Sequence, residues 1–169
     1  MTTGTKTILL LRHGKSDWNA DFGSDHSRPL APRGVAAARR MGRWLTDTGS
    51  PPDLVLSSDA TRARTTSELA AQEGEWDAPI VLRPEFYGAR PETLIAALRT
   101  VDDGVQRVLL TGHQPTWSAT VARLSGGGNV RFPTAALACL DYRGDWRTLE
   151  AGRCELRWLV TPKLLAHLD

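Results

Sequence analysis

The chain alternates short apolar runs with longer stretches in which apolar residues recur at helical spacing. Ile8-Leu9-Leu10-Leu11 is uninterrupted, as in a strand covered on both faces, and it stops at Arg12-His13-Gly14. From Pro32 to about Thr48, residues Val35, Ala38, Met41, Gly42 and Leu45 share a helical face, and Gly49-Ser50-Pro51-Pro52 ends that helix. Asp53 to Ser57 reads as a second strand. Ser58 is placed to cap a helix running to about Gln72, which sets Arg62 and Thr66 one turn apart on the same face. A strand near Ile80 to Arg83, a helix from about Pro91 to Thr100 and a strand from about Arg107 to Thr111 continue the alternation. Pro115 fits a first helical position, and the helix through Leu124 stops at Ser125-Gly126-Gly127-Gly128. Ala135 to Asp141 and Cys154 to Val160 read as closing strands.

This order predicts an α/β fold, a three-layer sandwich with a largely parallel central sheet and helices on both faces. A length of 169 residues suits one domain over residues 1–169, and no repeat, low-complexity tract or linker interrupts it. In such sheets ligands bind outside the carboxyl ends of the strands. Two of those ends carry a histidine, in Leu11-Arg12-His13-Gly14 and Thr111-Gly112-His113-Gln114, distant in sequence and expected to be adjacent in space.

Composition narrows the function classes. With 41% apolar and 24% charged residues the chain is an ordinary globular one rather than disordered, fibrous or membrane-spanning. Lys and Arg total 21 against 19 Asp and Glu, a net +2 that argues against a nucleic-acid-coating surface, so the placement of arginines matters more than their number. Cys139 and Cys154 lack Cys-x-x-Cys spacing and read as buried thiols in a reducing compartment. Met1 to Lys6 has no charged signal n-region, and Ile8 to Leu11 is too short for a membrane span, so the expected location is the cytoplasm. Ser125 to Gly128 lacks the Gly-Lys-Ser/Thr ending of a P-loop, and no Gly-x-Gly-x-x-Gly follows the first strand; no nucleotide cofactor is expected. Two distant histidines without a carboxylate cluster make a poor metal site. His26, in a polar loop, and His167, in the tail, read as non-functional. The six tryptophans have no regular spacing and read as core or rim, with Trp18 at the mouth of the site.

Arg12-His13-Gly14, then Ser58-Asp-Ala-Thr-Arg62-Ala63-Arg-Thr-Thr66, then Gly112-His113 together resemble the histidine phosphatase superfamily, the phosphoglycerate mutase-like proteins. Within it the chain looks most like the short SixA-type phosphohistidine phosphatases, through Leu11 to Trp18, Arg28-Pro29-Leu30, Arg33-Gly34, Gly112-His113-Gln114-Pro115 and Phe132-Pro133-Thr134. The resemblance implies a metal-independent phosphohydrolase in which His13 attacks phosphorus and forms a phosphohistidine intermediate. Elementary chemistry agrees. A phosphoryl group carries about two negative charges and must be neutralised before any nucleophile approaches. Arg12 and Arg62 offer planar forks for its oxygens, and His113 adds a donor. The same cations resist protonation of His13, whose tautomer a carbonyl near Gly14 is expected to fix. Gly14, Ser16, Asn19 and Gln114 are further candidate substrate contacts. Glu85, ahead of Tyr87-Gly88, resembles the mutase-type general acid, with a salt-bridged loop carboxylate as the competing reading and Asp17, Asp25 or solvent as competing donors.

Three functions follow from these residues. A SixA-type enzyme would act on a phosphohistidine-bearing carrier protein, and a chain of this length leaves little for a lid. A small-molecule phosphomonoesterase acting on sugar or nucleotide phosphates would use the same chemistry. An inactive phosphate-binding module would keep the pocket without turnover. No nucleic-acid or membrane partner is expected.

Overall fold

The computed structural model describes residues 4–168, so the first three residues of the Met1 to Lys6 stretch lie outside the described residues. Six strands form one sheet in the order β3-β2-β4-β1-β5-β6. They are β1 (Thr5–Arg12), β2 (Leu54–Ser57), β3 (Ile80–Leu82), β4 (Arg107–Gly112), β5 (Leu137–Arg143) and β6 (Cys154–Val160). β1, β2, β3 and β4 are mutually parallel, whereas β5 runs antiparallel to both β1 and β6. The sheet is thus mostly parallel and mixed at one side. Parallel neighbours need crossover helices, and those lie between the first four strands; β5 and β6 are joined only by a loop with one 3₁₀ turn at Trp146–Thr148, which permits an antiparallel pair.

The helices cover both faces. On one, α1 (Pro32–Asp47), α2 (Thr61–Gly74) and the short α5 (Pro162–Ala166) pack together. On the other lie α3 (Pro91–Arg99) and α4 (Thr116–Ser125). Strand periodicity explains the two cores: Ile8 and Leu10 of β1 point to Leu94, Leu98, Trp117 and Val121, while Leu9 and Leu11 point to Met41, Leu45 and Leu165. All four β1 side chains are fully buried. At about 1.5 to 3 kcal/mol for each side chain taken out of water, this run anchors the strand whose end carries His13.

Three details differ from expectation. α2 begins at Thr61 with Ala60 in the capping position, so Ser58 does not cap it. The Ser58 hydroxyl instead accepts from the Ala60 N–H at 3.2 Å and meets His113. Pro115 sits just ahead of α4 rather than inside it. α5 was not legible as a helix; its five residues are held by Thr161, whose hydroxyl accepts from Leu164 N–H at 3.1 Å. Cys139 and Cys154 are free and buried, and burial pushes their thiols up to about 11 and about 12. Among the described residues no helix is long and apolar enough to cross a membrane.

Candidate active site

The register of the parallel β1/β4 ladder pairs Arg12 with Gly112, so His13 and His113 leave the sheet on the same rung. His13 N–H donates to the Gly112 carbonyl at 3.0 Å, and the two imidazoles lie 5.3 Å apart between centroids, tilted by 54°. β2 ends alongside them, with Ser58 N–H donating to Thr111 O at 2.9 Å. Arg62, in the first turn of α2, joins the group, and one turn later the Thr66 hydroxyl accepts from Gly14 N–H at 3.0 Å and donates to Arg62 O at 2.7 Å. Gly14 is required by crowding: a Cβ there would stand 2.6 Å from the Gly34 carbonyl of α1. Across the mouth, Ala135 adopts φ +58 and donates its N–H to His13 O at 3.0 Å.

The four principal candidates therefore converge. His13, Arg62 and His113 are buried and Arg12 is half-buried. His13 Nδ1 stands 2.7 Å from Gly14 O. A carbonyl can only accept, so Nδ1 carries the proton and Nε2 keeps its lone pair. His113 Nε2 stands 2.8 Å from Ser58 Oγ, whose proton has no other acceptor among the described contacts. The hydroxyl then donates to Nε2, which leaves the His113 proton on Nδ1. That Nδ1, Arg12 Nε and Arg62 Nε are all buried without a partner among the described residues. Arg12 also donates from a terminal nitrogen to Phe132 O at 3.0 Å.

Burial, with Arg62 and Arg12 adding repulsion, sets the charge state. It lowers His13 to about 3, overriding the upward pull of the Gly14 hydrogen bond, and lowers His113 to about 4. Both rings are neutral near pH 7. Burial likewise lowers Arg12 from its usual value.

Asp25 is the residue that sequence reasoning underweighted. It lies in a 3₁₀ turn (Asp25–Ser27), where its carboxylate accepts from Tyr87 Oη at 2.6 Å, from Arg62 at 3.1 Å and from Arg28, while its carbonyl accepts from Arg62 at 2.7 Å. The Tyr87 hydroxyl, followed by the two arginines, holds this carboxyl well below the usual range. The Asp-x-x-Arg spacing of Asp25 and Arg28, one turn apart, is the signal that points to it. His26 also approaches the site: its Nε2 is 2.9 Å from Asp59 Oδ1 and its ring stands edge-on to Tyr87 at 5.0 Å.

The remaining candidates do not join the cluster directly. Ser16 is buried and accepts from Arg28 Nε at 3.0 Å. Asn19 is exposed, its N–H donating to Asp17 Oδ1 at 2.9 Å. Gln114 spends both ends of its amide on Ser118, at 2.7 and 2.9 Å, in the first turn of α4. Glu85 is exposed and accepts from Arg83 Nε at 2.7 Å. Desolvation raises its carboxyl, but its own backbone N–H and Arg83 outweigh that, leaving it below its usual value. Trp18, 65% exposed, stacks under the Arg28 guanidinium at 3.6 Å and so forms rim.

Comparison with known proteins is consistent with this geometry. The family model of the histidine phosphatase superfamily (branch 1) matches residues 8–88. An uncharacterized protein of Mycobacterium tuberculosis (strain ATCC 25618 / H37Rv) is 39% identical over 163 residues, covering 90% of this chain and 100% of its own. A protein assigned as phosphohistidine phosphatase SixA from Nakamurella multipartitia superposes with a TM-score of 0.81 at 30% identity, over 96% of this chain and 99% of its own. One with the same assignment from Agrobacterium tumefaciens gives a TM-score of 0.78 at 32% identity, over 93% and 98%. The chain is a phosphatase that belongs to the histidine phosphatase superfamily, in its SixA-type branch.

Proposed function

We propose that this phosphatase removes the phosphoryl group from phosphohistidine on a protein, with His13 as its nucleophile. The observation that carries the nucleophile is the neutral His13 ring, its Nδ1–H committed to Gly14 O and its Nε2 lone pair free, set among arginines. In the first step Nε2 bonds to phosphorus as the P–N bond of the substrate breaks, and the substrate ring, already protonated on its other nitrogen, departs as neutral imidazole. In the second step water attacks the phosphorus on His13, releasing inorganic phosphate and the free ring.

Arg12, Arg62 and His113 Nδ1–H are the groups that hold the phosphoryl oxygens, and their unspent buried donors support that role. Asp25 orients Arg62 from behind, Ser58 sets the His113 tautomer, and Ser16 steadies Arg28. Gly14 acts through its backbone, whereas Asn19 bonds to Asp17 and Gln114 to Ser118 rather than to the cluster. The reading needs neither metal nor cofactor and fits a cytoplasmic enzyme.

The carboxylates support this substrate class. An alkyl phosphate ester needs a proton delivered to a poor leaving oxygen, yet Asp25 and Glu85 are both held ionised, which makes each a weak general acid near neutral pH. An imidazole leaving group, with an ordinary pKa of about 6.5, departs without a dedicated carboxylic acid. The SixA assignment of the similar structures points the same way.

The test compares phosphate release from a phosphohistidine-bearing protein with release from sugar and nucleotide phosphates, using His13→Ala as the blank. The expected result is far faster release from the phosphohistidine protein, no turnover by His13→Ala, and a transient acid-labile, base-stable label on the wild-type chain. Faster turnover of sugar phosphates would overturn the substrate; full activity of His13→Ala would overturn the mechanism.

A further inference from the structure

Beside the phosphoryl pocket runs a groove of about 570 Å³ between the start of α1, the 131–134 turn and the start of α5. Lys15, Arg33, Arg131 and Lys163 line it, with Ala37 and Pro162 among the uncharged residues between them, and among the described residues no carboxylate is part of its wall. All four cationic side chains are exposed, and among the described residues none of them makes an ion pair, hydrogen bond or ring contact. Many of the other cations are answered by carboxylates. Arg28, Arg43, Arg62, Arg64, Arg83 and Arg157 each face a carboxylate within 3.1 Å. A net charge of +2 does not force four unanswered cations into one hollow, where they repel one another.

We propose that this groove docks an acidic segment of the phosphoprotein substrate beside the phosphorylated side chain. The inference rests on the phosphohistidine-protein reading and deepens it. Continuity with the site supports it. Lys15 follows Gly14, whose carbonyl holds the His13 ring, and the opposite wall is the turn at Phe132, whose carbonyl holds Arg12. A chain bound in the groove therefore lies against both loops that carry the site. The size and floor of the groove favour a polypeptide over a single small anion: Arg33, Ala37 and Pro162 are shared with a second hollow of about 640 Å³ against Trp44 and Leu165, whose far wall includes Asp47. Aliphatic floor between cationic rims suits a segment carrying Asp or Glu together with apolar side chains. Such a rim sets encounter rate and partner choice more than it tightens the final complex.

Two measurements test this. The first uses fluorescence anisotropy to follow a labelled Glu-rich peptide without phosphate, and an uncharged peptide of the same length, on wild type and on Arg33→Glu/Arg131→Glu/Lys163→Glu. Binding of the acidic peptide should weaken with added salt and be lost in the triple variant. The milder Arg131→Gln/Lys163→Gln pair, which reverses no charge, should show an intermediate loss and covers the case in which the triple variant is unstable. The second compares kcat/KM for phosphohistidine peptides with acidic or neutral flanks against free phosphohistidine. The acidic flank should raise kcat/KM by about tenfold through KM, and the triple variant should lose that gain while hydrolysing free phosphohistidine at the wild-type rate. Equal binding by wild type and the folded variants, absence of any preference for acidic flanks, or tighter binding of a single-stranded oligonucleotide than of the acidic peptide would overturn the docking proposal, whatever the rate on phosphohistidine. Acidic-peptide binding that depends on the groove, with no phosphohistidine compound hydrolysed, would support the groove and overturn the substrate reading instead.

Discussion

Replacing Gly34 by alanine probes the site from a position that touches no substrate. The added Cβ would lie 2.1 Å from the Lys15 carbonyl oxygen and 2.7 Å from the Lys15 nitrogen, both backbone atoms that no rotamer change can move aside. Restoring an ordinary contact of 3.4 Å requires the 14–15 segment and α1 to separate by about 1.3 Å. The same Lys15 oxygen accepts from Ala31 N–H at 2.8 Å, so separation also strains the bond that ties the loop to the start of α1. Overpacking of this kind costs about 1 to 3 kcal/mol, which for a chain of this size lowers Tm by about 2 to 4 °C per kcal/mol. The larger effect falls on turnover. Gly14 O holds the His13 ring at 2.7 Å, and a misplacement of about 1 Å in a reacting group costs about 100-fold in rate. Gly34→Ala should therefore lower kcat on phosphohistidine protein by about that factor while Tm falls by only several degrees. Gly23→Ala, where an added Cβ meets nothing within 4 Å, is the matched control and should leave both unchanged. A Gly34→Ala enzyme with normal kcat would refute the claim that glycine contact between α1 and the loop positions the nucleophile.

Other outcomes follow from the charges. His13 and His113 titrate at about 3 and about 4 when folded, against about 6.5 unfolded, so below that value the unfolded chain binds more protons. Stability should be flat above neutral pH and fall from about pH 6.5 downward, by about 2 kcal/mol per buried ring at pH 5; urea midpoints independent of pH over that window would contradict the buried neutral rings. Asp25→Asn keeps the shape but removes the charge that meets Arg62 and Arg28, and kcat/KM should fall by about tenfold, against no change if Asp25 is only a surface carboxylate. Metal chelators should leave phosphate release unchanged, and strong inhibition by them would discredit the metal-free mechanism.

What the sequence made legible was whatever depends on local pattern. Ile8 to Leu11 and the helix from Pro32 were readable because burial on one or two faces dictates their spacing. Arg12, His13, Arg62 and His113 stood out because each sits at the end of a strand or the start of a helix. The reversed direction of β5 was not readable, since a strand shows the same pattern either way. Nor was the turn of Gln114 toward Ser118, or the commitment of Ser58 to His113 instead of a helix cap; both depend on which polar group packing brings nearest. Asp25 is the instructive case. Its partners Tyr87 and Arg62 come from two other segments, and only the folded chain places all three together.

The position of β1 in the sheet bears on how the molecule assembles. Its two neighbours are β4 and β5, and its pairing of Thr7 with Arg107 spans a hundred residues. A strand of four fully buried apolar side chains must therefore wait, unpaired, while most of the polypeptide is made. Such long-range closure slows folding and leaves a sticky edge open in the meantime. Because His13 and His113 flank the seam between β1 and β4, the two rings come together only once those strands have met.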